Sequence, residues 1–168
     1  MEESTISLVV SVVALLISII SIYLTRRQPI KKTPAPVDLA IRPLQLQAYE
    51  RLVLLCERIA IPNLISRTAQ PELSAKEMQV VLLESIKQEF EYNTSQQIYV
   101  SPAAWDAVRS LKDQNMLIIN QVANTLPPDA KGTGLNKLLL EFIINQKESA
   151  LHTIVLNALN FEAKKVMQ

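Results

Sequence analysis

The sequence predicts an all-α protein with an N-terminal transmembrane helix, a Pro-rich linker and a cytoplasmic bundle of four to five helices. Residues 6–24 are an apolar run without charge, Pro or Gly, and as a helix they would be about 28 Å long, close to the hydrocarbon thickness of a bilayer. The chain has only 2 Gly and 5% aromatic residues, and its many Leu, Ile, Ala, Gln and Glu residues favour helices over strands. Apolar residues in the remainder recur at helical spacing.

These observations divide the chain into three parts. Residues 1–25 are the predicted membrane anchor, residues 26–43 a basic Pro-rich linker and residues 44–168 the helical domain. After anchor and linker, the length leaves room for one domain with a hydrophobic core. The one Cys excludes an internal disulfide framework and is typical of a reducing compartment.

The charges beside the apolar run predict its orientation. Glu2 and Glu3 precede the run, and four basic residues follow it: Arg26, Arg27, Lys31 and Lys32. The run lacks the basic start and the small-residue site that signal-peptide cleavage needs. We therefore expect a retained single-pass anchor with the N-terminus outside and the helical domain in the cytoplasm. The alternative is a buried helix of a soluble core, but such helices rarely have this length without a polar face.

Small residues form one narrow stripe along the predicted span, at alternating spacings of four and three: Ser7, Ser11, Ala14, Ser18 and Ser21. Small residues let helix backbones approach closely in lipid, and this repeat favours left-handed pairing. The stripe therefore predicts a seam for a second span, from another copy of the chain or from a different membrane protein. The alternative is that each serine hydroxyl bonds to its own helix backbone.

The linker has two interpretations beyond its predicted extended form. Pro29, Pro34 and Pro36 favour extended geometry, because proline lacks an amide hydrogen and restricts the residue before it. The basic residues Arg26, Arg27, Lys31 and Lys32 can contact anionic headgroups, each contributing about 1 kcal/mol. An ordinary topology signal explains the same charges, so lipid binding through the linker is kept as an alternative.

Helical periodicity predicts the first helix of the domain from Pro43 to about Ala60. Pro43 suits a first helical turn, and Pro62 ends the helix before a short turn over residues 63–67. The predicted buried side is wide and consists of Ala48, Tyr49, Leu52, Val53, Leu55, Cys56, Ile59 and Ala60. The opposite face carries Glu50, Arg51, Glu57 and Arg58.

Capping signals predict the next two helices. Ser74 and Glu77 have the spacing of a capping box, so a helix begins there and runs to about Tyr92. Ser101 suits an N-cap and Pro102 a first helical position, predicting a central helix that runs to about residue 126. Its predicted inward side consists of Trp105, Val108, Leu111, Ile118, Ile119 and Val122.

A loop over residues 126–134, which holds both glycines, precedes the last helical region. That region extends from Leu135 to Val166, and the pattern leaves open whether it is one helix or two. A break is expected within the polar residues 145–149.

A polar cluster lies between the second and third helices and consists of Asn93, Gln96, Gln97 and Tyr99. As a surface, these amides and the phenol could contact a peptide or another subunit. As structure, they would cap two helix ends.

The sequence shows no convergent reactive groups, so we expect no enzyme, cofactor or metal site. The only His, His152, follows Glu148 by one helical turn, but two ligands seldom make a metal site. Residues 131–134 resemble a phosphate loop only superficially, because they lack its glycine spacing and following Lys-Ser/Thr. From Leu44 onward there are 12 Lys or Arg and 13 Asp or Glu, and this near neutrality argues against nucleic acid as a partner.

Three segments carry a family resemblance: LQLQAYERLVLL at residues 44–55, PNL at 62–64 and SQQIYVSPAAW at 95–105. They resemble an uncharacterised family of small single-span membrane proteins from Bacteroidetes-type bacteria. The resemblance implies a similar anchor, a similar cytoplasmic helical domain and no known activity. Together with the predicted orientation, it implies a location in the bacterial inner membrane.

The leading hypothesis is a noncatalytic, membrane-anchored interaction or scaffold module that forms a homo-oligomer or joins a membrane assembly. The second is a small-ligand sensor or enzyme with a pocket between the first helix and the segment from Ser95 to Trp105. The third is a lipid-binding module that acts through the basic linker.

Overall fold

The computed structural model describes Ser18, residues 36–145 and residues 149–168. These residues contain no β-strand, so the all-α class is confirmed. They form six α-helices: α1 Pro36–Ile59, α2 Ile61–Thr68, α3 Ala75–Asn93, α4 Pro102–Ala123, α5 Gly132–Asn145 and α6 Ser149–Met167. A 3₁₀ helix, Thr94–Ile98, lies between α3 and α4. The six helices lie in one compact unit, Val37–Gln168.

The domain has one helix more than the upper limit of the prediction. The segment expected to form a single short turn after Pro62 is the two-turn helix α2. Pro62 suits its first turn, and Ile61, Leu64 and Ile65 are buried. Burial of this apolar side against the bundle stabilises a helix that would be too short to persist alone.

The described residues include no helix that is both long and apolar enough to cross a membrane. The predicted span, residues 6–24, lies outside them apart from Ser18, which is helical and exposed. Also outside are the other seam residues and the basic residues of the linker: Ser7, Ser11, Ala14, Ser21, Arg26, Arg27, Lys31 and Lys32. The anchor, its seam and the headgroup contacts therefore stay predictions.

The first helix of the domain begins earlier than predicted. It starts at Pro36, and Pro43 lies inside it. Pro36 suits the first turn of a helix because its backbone angle is fixed, whereas Pro43 inside the helix removes the hydrogen bond to the Leu39 carbonyl and crowds that carbonyl with its ring. Residues 36–43 of the predicted linker are therefore helical.

Helix α4 packs against α3, α5 and α6, and α3 packs against α2, α4 and α5, so the central position predicted for α4 is shared with α3. Every residue predicted to face inward on α4 is buried. The predicted buried side of the first helix is also buried apart from Val53 and Ala60, which are partly exposed. The core therefore follows the apolar periodicity of the sequence.

Both predicted helix caps are confirmed. The Glu77 amide donates to Ser74 Oγ at 3.3 Å, and the Ser74 amide donates to Glu77 Oε2 at 2.9 Å. The Ala104 amide donates to Ser101 Oγ at 3.1 Å, with Pro102 in the first helical turn. Helix α5 ends at Asn145 and α6 begins at Ser149. The last helical region therefore contains two helices, and they end and begin within residues 145–149, where a break was expected.

The two glycines occupy very different places at the start of α5. The Gly132 amide donates to the Leu73 carbonyl at 2.8 Å, and the Ala75 amide donates to the Ala130 carbonyl at 2.8 Å. A Cβ on Gly132 would lie 2.9 Å from Met78 Cβ and 3.0 Å from the Leu73 carbonyl oxygen. A Cβ on Gly134 would meet nothing within 4 Å. The loop predicted over residues 126–134 thus ends before Gly132, and of the two glycines only Gly132 is required by close packing of the start of α5 against Leu73 and Met78.

We expect Gly132→Ala to lower the free energy of unfolding by about 1–3 kcal/mol, because backbone and Cβ atoms must move apart to admit the methyl group. Gly134→Ala is the matched control, and its expected effect is a gain of up to about 1 kcal/mol from higher helix propensity. Urea unfolding of the full chain in nonionic detergent, followed by far-UV circular dichroism, measures both. Equal effects of the two substitutions would contradict the close approach at Gly132.

Candidate functional site

An open groove of about 630 Å³ lies between α1, α2 and α3. Its basic side chains are Arg51 and Arg58 from α1 and Arg67 from α2. Helix α3 contributes Glu89 and Tyr92. We call this feature the arginine groove.

Helical geometry explains why these side chains meet. Arg51 and Arg58 are seven residues apart, two turns of a helix, so they lie one above the other on α1. Arg67 is in the last turn of α2, and Glu89 and Tyr92 share a face of α3 at the i, i+3 spacing. Three of the four arginines between Leu44 and Gln168 thus line one groove, although that segment is nearly neutral.

Glu89 is the carboxylate of the groove and bridges two arginines. Arg58 Nε donates to Glu89 Oε1 at 2.6 Å, and Arg67 Nη1 lies 3.5 Å from the same oxygen. Arg67 Nη2 also donates to the Arg58 carbonyl at 2.8 Å. The hydrogen bond that Arg58 donates to Glu89 raises the pKa of Arg58. Because the Arg58 and Arg67 side chains are 51% and 37% exposed, their guanidinium groups remain open to solvent.

Arg51 has different partners. Its Nε donates to Asn93 Oδ1 at 3.3 Å, and its guanidinium lies over the Tyr92 ring, 5.0 Å from the centroid. Within the described residues Arg51 has no carboxylate partner. Tyr92 is 75% exposed and Leu54, on the same groove, 61%. The groove therefore offers positive charge and apolar surface side by side.

The predicted polar cluster is not one exposed surface. Asn93 and Gln96 are buried, so the interpretation of all four residues as a contact surface needs correction. The side-chain amide of Asn93 donates to the backbone carbonyl of Glu89 at 2.8 Å, and the side-chain amide of Gln96 donates to Ser95 Oγ at 3.1 Å. Gln97 is exposed and Tyr99 is partly exposed. Asn93 is buried because it is the last residue of α3, and Gln96 is the buried residue of the 3₁₀ helix over residues 94–98.

The region proposed for a ligand pocket, between the first helix and residues 95–105, contains a packed tyrosine. Tyr49 is 4% exposed, and its hydroxyl donates to Glu162 Oε2 at 2.7 Å while accepting from the Ser101 amide at 3.3 Å. Burial and the hydrogen bond to Glu162 raise the pKa of Tyr49. Tyr49 thereby connects α1, the start of α4 and α6.

His152 lies at a smaller cavity of about 210 Å³, which Glu57, Asn63 and Asn115 also line. His152 Nε2 is 3.8 Å from Glu57 Oε1 and is buried without a hydrogen-bond partner. Glu148, its predicted neighbour, lies outside the described residues. In the part of the chain that the structure describes, no group of three or more His, Cys, Asp or Glu could hold a metal ion. The cavity is smaller than the roughly 300–1,000 Å³ of most ligand sites.

Cys56 lies in the core, as predicted. It is fully buried, and burial raises the pKa of its thiol to about 12. At neutral pH the group is therefore a protonated thiol, which is a poor nucleophile.

Sequence reasoning missed the arginine groove, because Arg51 and Arg58 were assigned to a solvated helix face and Arg67 to a turn. The one available signal was the seven-residue spacing of Arg51 and Arg58. Nothing in that spacing indicates that Glu89 lies against them.

Comparison with known proteins gives one match, to a model of a family of unknown function, DUF7935, over residues 3–166. This match agrees with the expectation of an uncharacterised family, and it extends across the predicted span, the linker and the helical domain. No curated protein matches the chain, and no solved structure matches it.

Proposed function

The chain belongs to DUF7935, a family of unknown function, and from this premise we propose that it is a membrane-anchored, noncatalytic interaction module. In this proposal residues 6–24 span the bacterial inner membrane once, with the N-terminus outside and the helical domain in the cytoplasm. The domain then binds a partner protein at the membrane surface.

The observation that carries the proposal is the arginine groove. Arg and Tyr are enriched among the residues that dominate binding energy at protein interfaces, and here Arg51, Arg58, Arg67 and Tyr92 line one open surface. Its breadth and exposure suit a protein segment rather than a small molecule, which is usually enclosed on most of its surface.

The predicted span supplies the second part of the proposal. A stripe of small residues lets two helices pack closely in a bilayer, so Ser7, Ser11, Ala14, Ser18 and Ser21 would join the span to another copy or to a different membrane protein. Self-association would present several grooves at one place on the membrane, and such multivalency raises the overall affinity for a multivalent partner.

The two alternatives have less support. A ligand pocket beside residues 95–105 would compete for space with Tyr49, which is packed against Ser101 and Glu162. Lipid binding through Arg26, Arg27, Lys31 and Lys32 concerns residues outside the described part of the chain, and an ordinary topology signal accounts for the same charges.

Affinity purification of the tagged full-length chain from native membranes in mild detergent tests the proposal. We expect a defined partner or homo-oligomer with the wild type. The combined Arg51→Gln and Arg67→Gln change should release the partner, because it removes two of the cations of the groove. Changing Ser7, Ser11 and Ser18 together to Leu should weaken association through the span.

Arg109→Gln is the matched control, because Arg109 lies on α4 outside the groove and pairs with Asp106 at 3.0 Å. It should retain every partner. A wild-type chain that is recovered alone and monomeric would contradict the proposal.

A further inference from the structure

We propose that the arginine groove binds an acidic segment of a partner protein, with partner carboxylates on the guanidinium groups and apolar partner side chains against Leu54 and Tyr92. This inference rests on the proposed function and names the chemistry of the partner.

The arginine groove has an excess of positive charge. Arg51, Arg58 and Arg67 bring three positive charges to the groove, and Glu89 is its one carboxylate. An excess of two positive charges therefore lies on one open surface of a domain that is near neutral as a whole. Complementary potentials of this kind steer a charged partner and determine its register.

Glu89 shows how the groove holds a carboxylate. Its Oε1 accepts from Arg58 and lies close to Arg67, so a carboxylate already occupies the position between these two arginines. The arrangement demonstrates that the groove can bridge a carboxylate with two guanidinium groups. A carboxylate of the partner would bind beside Glu89 or displace it, which makes Glu89 an internal competitor.

Arg51 is held in position and keeps donors for a ligand. Each guanidinium has five N–H donors in a planar fork that matches a carboxylate. Arg51 uses Nε for Asn93 and stacks on Tyr92, and these two contacts hold its side chain in place. Its terminal nitrogens are donors for a ligand, and the pre-ordered side chain loses little further freedom on binding.

The apolar neighbours favour a peptide over other anions. Leu54 and Tyr92 are 61% and 75% exposed and stand among the arginines, a mixture that suits alternating acidic and apolar side chains. Nucleic acid would require a broad basic face, whereas the segment from Leu44 onward has 12 basic and 13 acidic residues. A lipid headgroup would use the charges but would leave no role for the concave apolar surface.

The test measures binding of a fluorescein-labelled peptide of alternating glutamate and leucine to the full chain in nonionic detergent, by fluorescence anisotropy. The matched probe has glutamine in place of glutamate. We expect the glutamate peptide to bind about 10-fold or more tightly than the glutamine peptide, because charge-assisted bonds to arginine are strong.

Variants identify the groove as the site. Arg51→Gln and Arg67→Gln should each lower the affinity for the glutamate peptide by about 5–10-fold, whereas Arg109→Gln should leave that affinity unchanged. Glu89→Gln should raise the affinity for the glutamate peptide by about 3-fold, because the internal competitor loses its charge. Arg51→Lys, which keeps the charge and loses the planar fork, should fall between the wild type and Arg51→Gln. Circular dichroism of each variant verifies folding.

Equal affinities for the two peptides, or no change in both Arg51→Gln and Arg67→Gln, would overturn the inference. So would binding of inorganic phosphate or of phosphatidylserine vesicles that depends on Arg51 and Arg67 while the glutamate peptide does not bind. If the glutamate peptide does not bind but the double arginine variant still loses the native partner, the proposal that the partner segment is acidic is wrong, and the proposed interaction module stands. If the peptide binds but nothing co-purifies from membranes, the groove assignment stands and the assembly proposal fails.

Discussion

Trp105→Ala is expected to lower the free energy of unfolding by about 3–5 kcal/mol, the largest loss among the substitutions considered. Trp105 is 5% exposed and is the only Trp of the chain. Its ring stacks on Phe90 of α3 with the centroids 5.0 Å apart. Truncation to alanine would leave a large cavity between α4 and α3, and the rigid helices around it can close that cavity only in part.

Trp105→Phe is the control for this prediction. Phenylalanine retains an aromatic ring against Phe90, so we expect a loss of only about 1–2 kcal/mol. Chemical unfolding followed by far-UV circular dichroism measures both variants without relying on Trp fluorescence. If Trp105→Ala lowers the free energy of unfolding by less than about 1 kcal/mol, the side chain is not required by the core. That result would favour a ligand pocket near residues 95–105.

Leu52→Ala is the second large effect, with an expected loss of about 2–5 kcal/mol. Leu52 is 0% exposed and lies on the buried stripe of α1. Leu54, two residues further along the same helix, is 61% exposed, and Leu54→Ala should change stability by less than about 0.5 kcal/mol. The pair compares the same chemical change on the two sides of one helix, with urea unfolding as the measurement.

The same pair separates folding from binding. Leu54 lines the arginine groove, so Leu54→Ala should lower the affinity for the peptide of alternating glutamate and leucine without lowering the free energy of unfolding. A large stability loss in Leu54→Ala, or none in Leu52→Ala, would mean that the assigned buried and exposed sides of α1 are wrong.

Local signals in the sequence predicted much of the fold. The caps at Ser74 and Ser101 and the buried stripes of α1 and α4 follow from hydrogen bonding and periodicity within a few residues of the chain. The prediction was wrong about the start of α1 and about the helical state of residues 61–68. Pro36 starts α1 in place of Pro43, and burial of Leu64 and Ile65 makes α2 a helix instead of a turn.

The role of Gly132 shows a limit of local signals. The sequence placed both glycines in one loop, but it could not distinguish Gly132, which approaches Met78 closely, from Gly134, which has open space around it. The difference depends on how the start of α5 packs against Leu73 and Met78, a contact between residues far apart in the chain.

The sequence by itself determined the helical class, the starts of α3 and α4 and most of the buried sides of α1 and α4, because these depend on residues within one or two turns of each other. Only the tertiary structure decided that Arg51, Arg58 and Arg67 share a groove with Glu89 and Tyr92. Arg58 and Arg67 are separated from Glu89 by 31 and 22 residues, and their meeting depends on the packing of three helices. Helical periodicity specifies which side of a helix is apolar, but it does not specify which polar side chains a neighbouring helix brings to the other side.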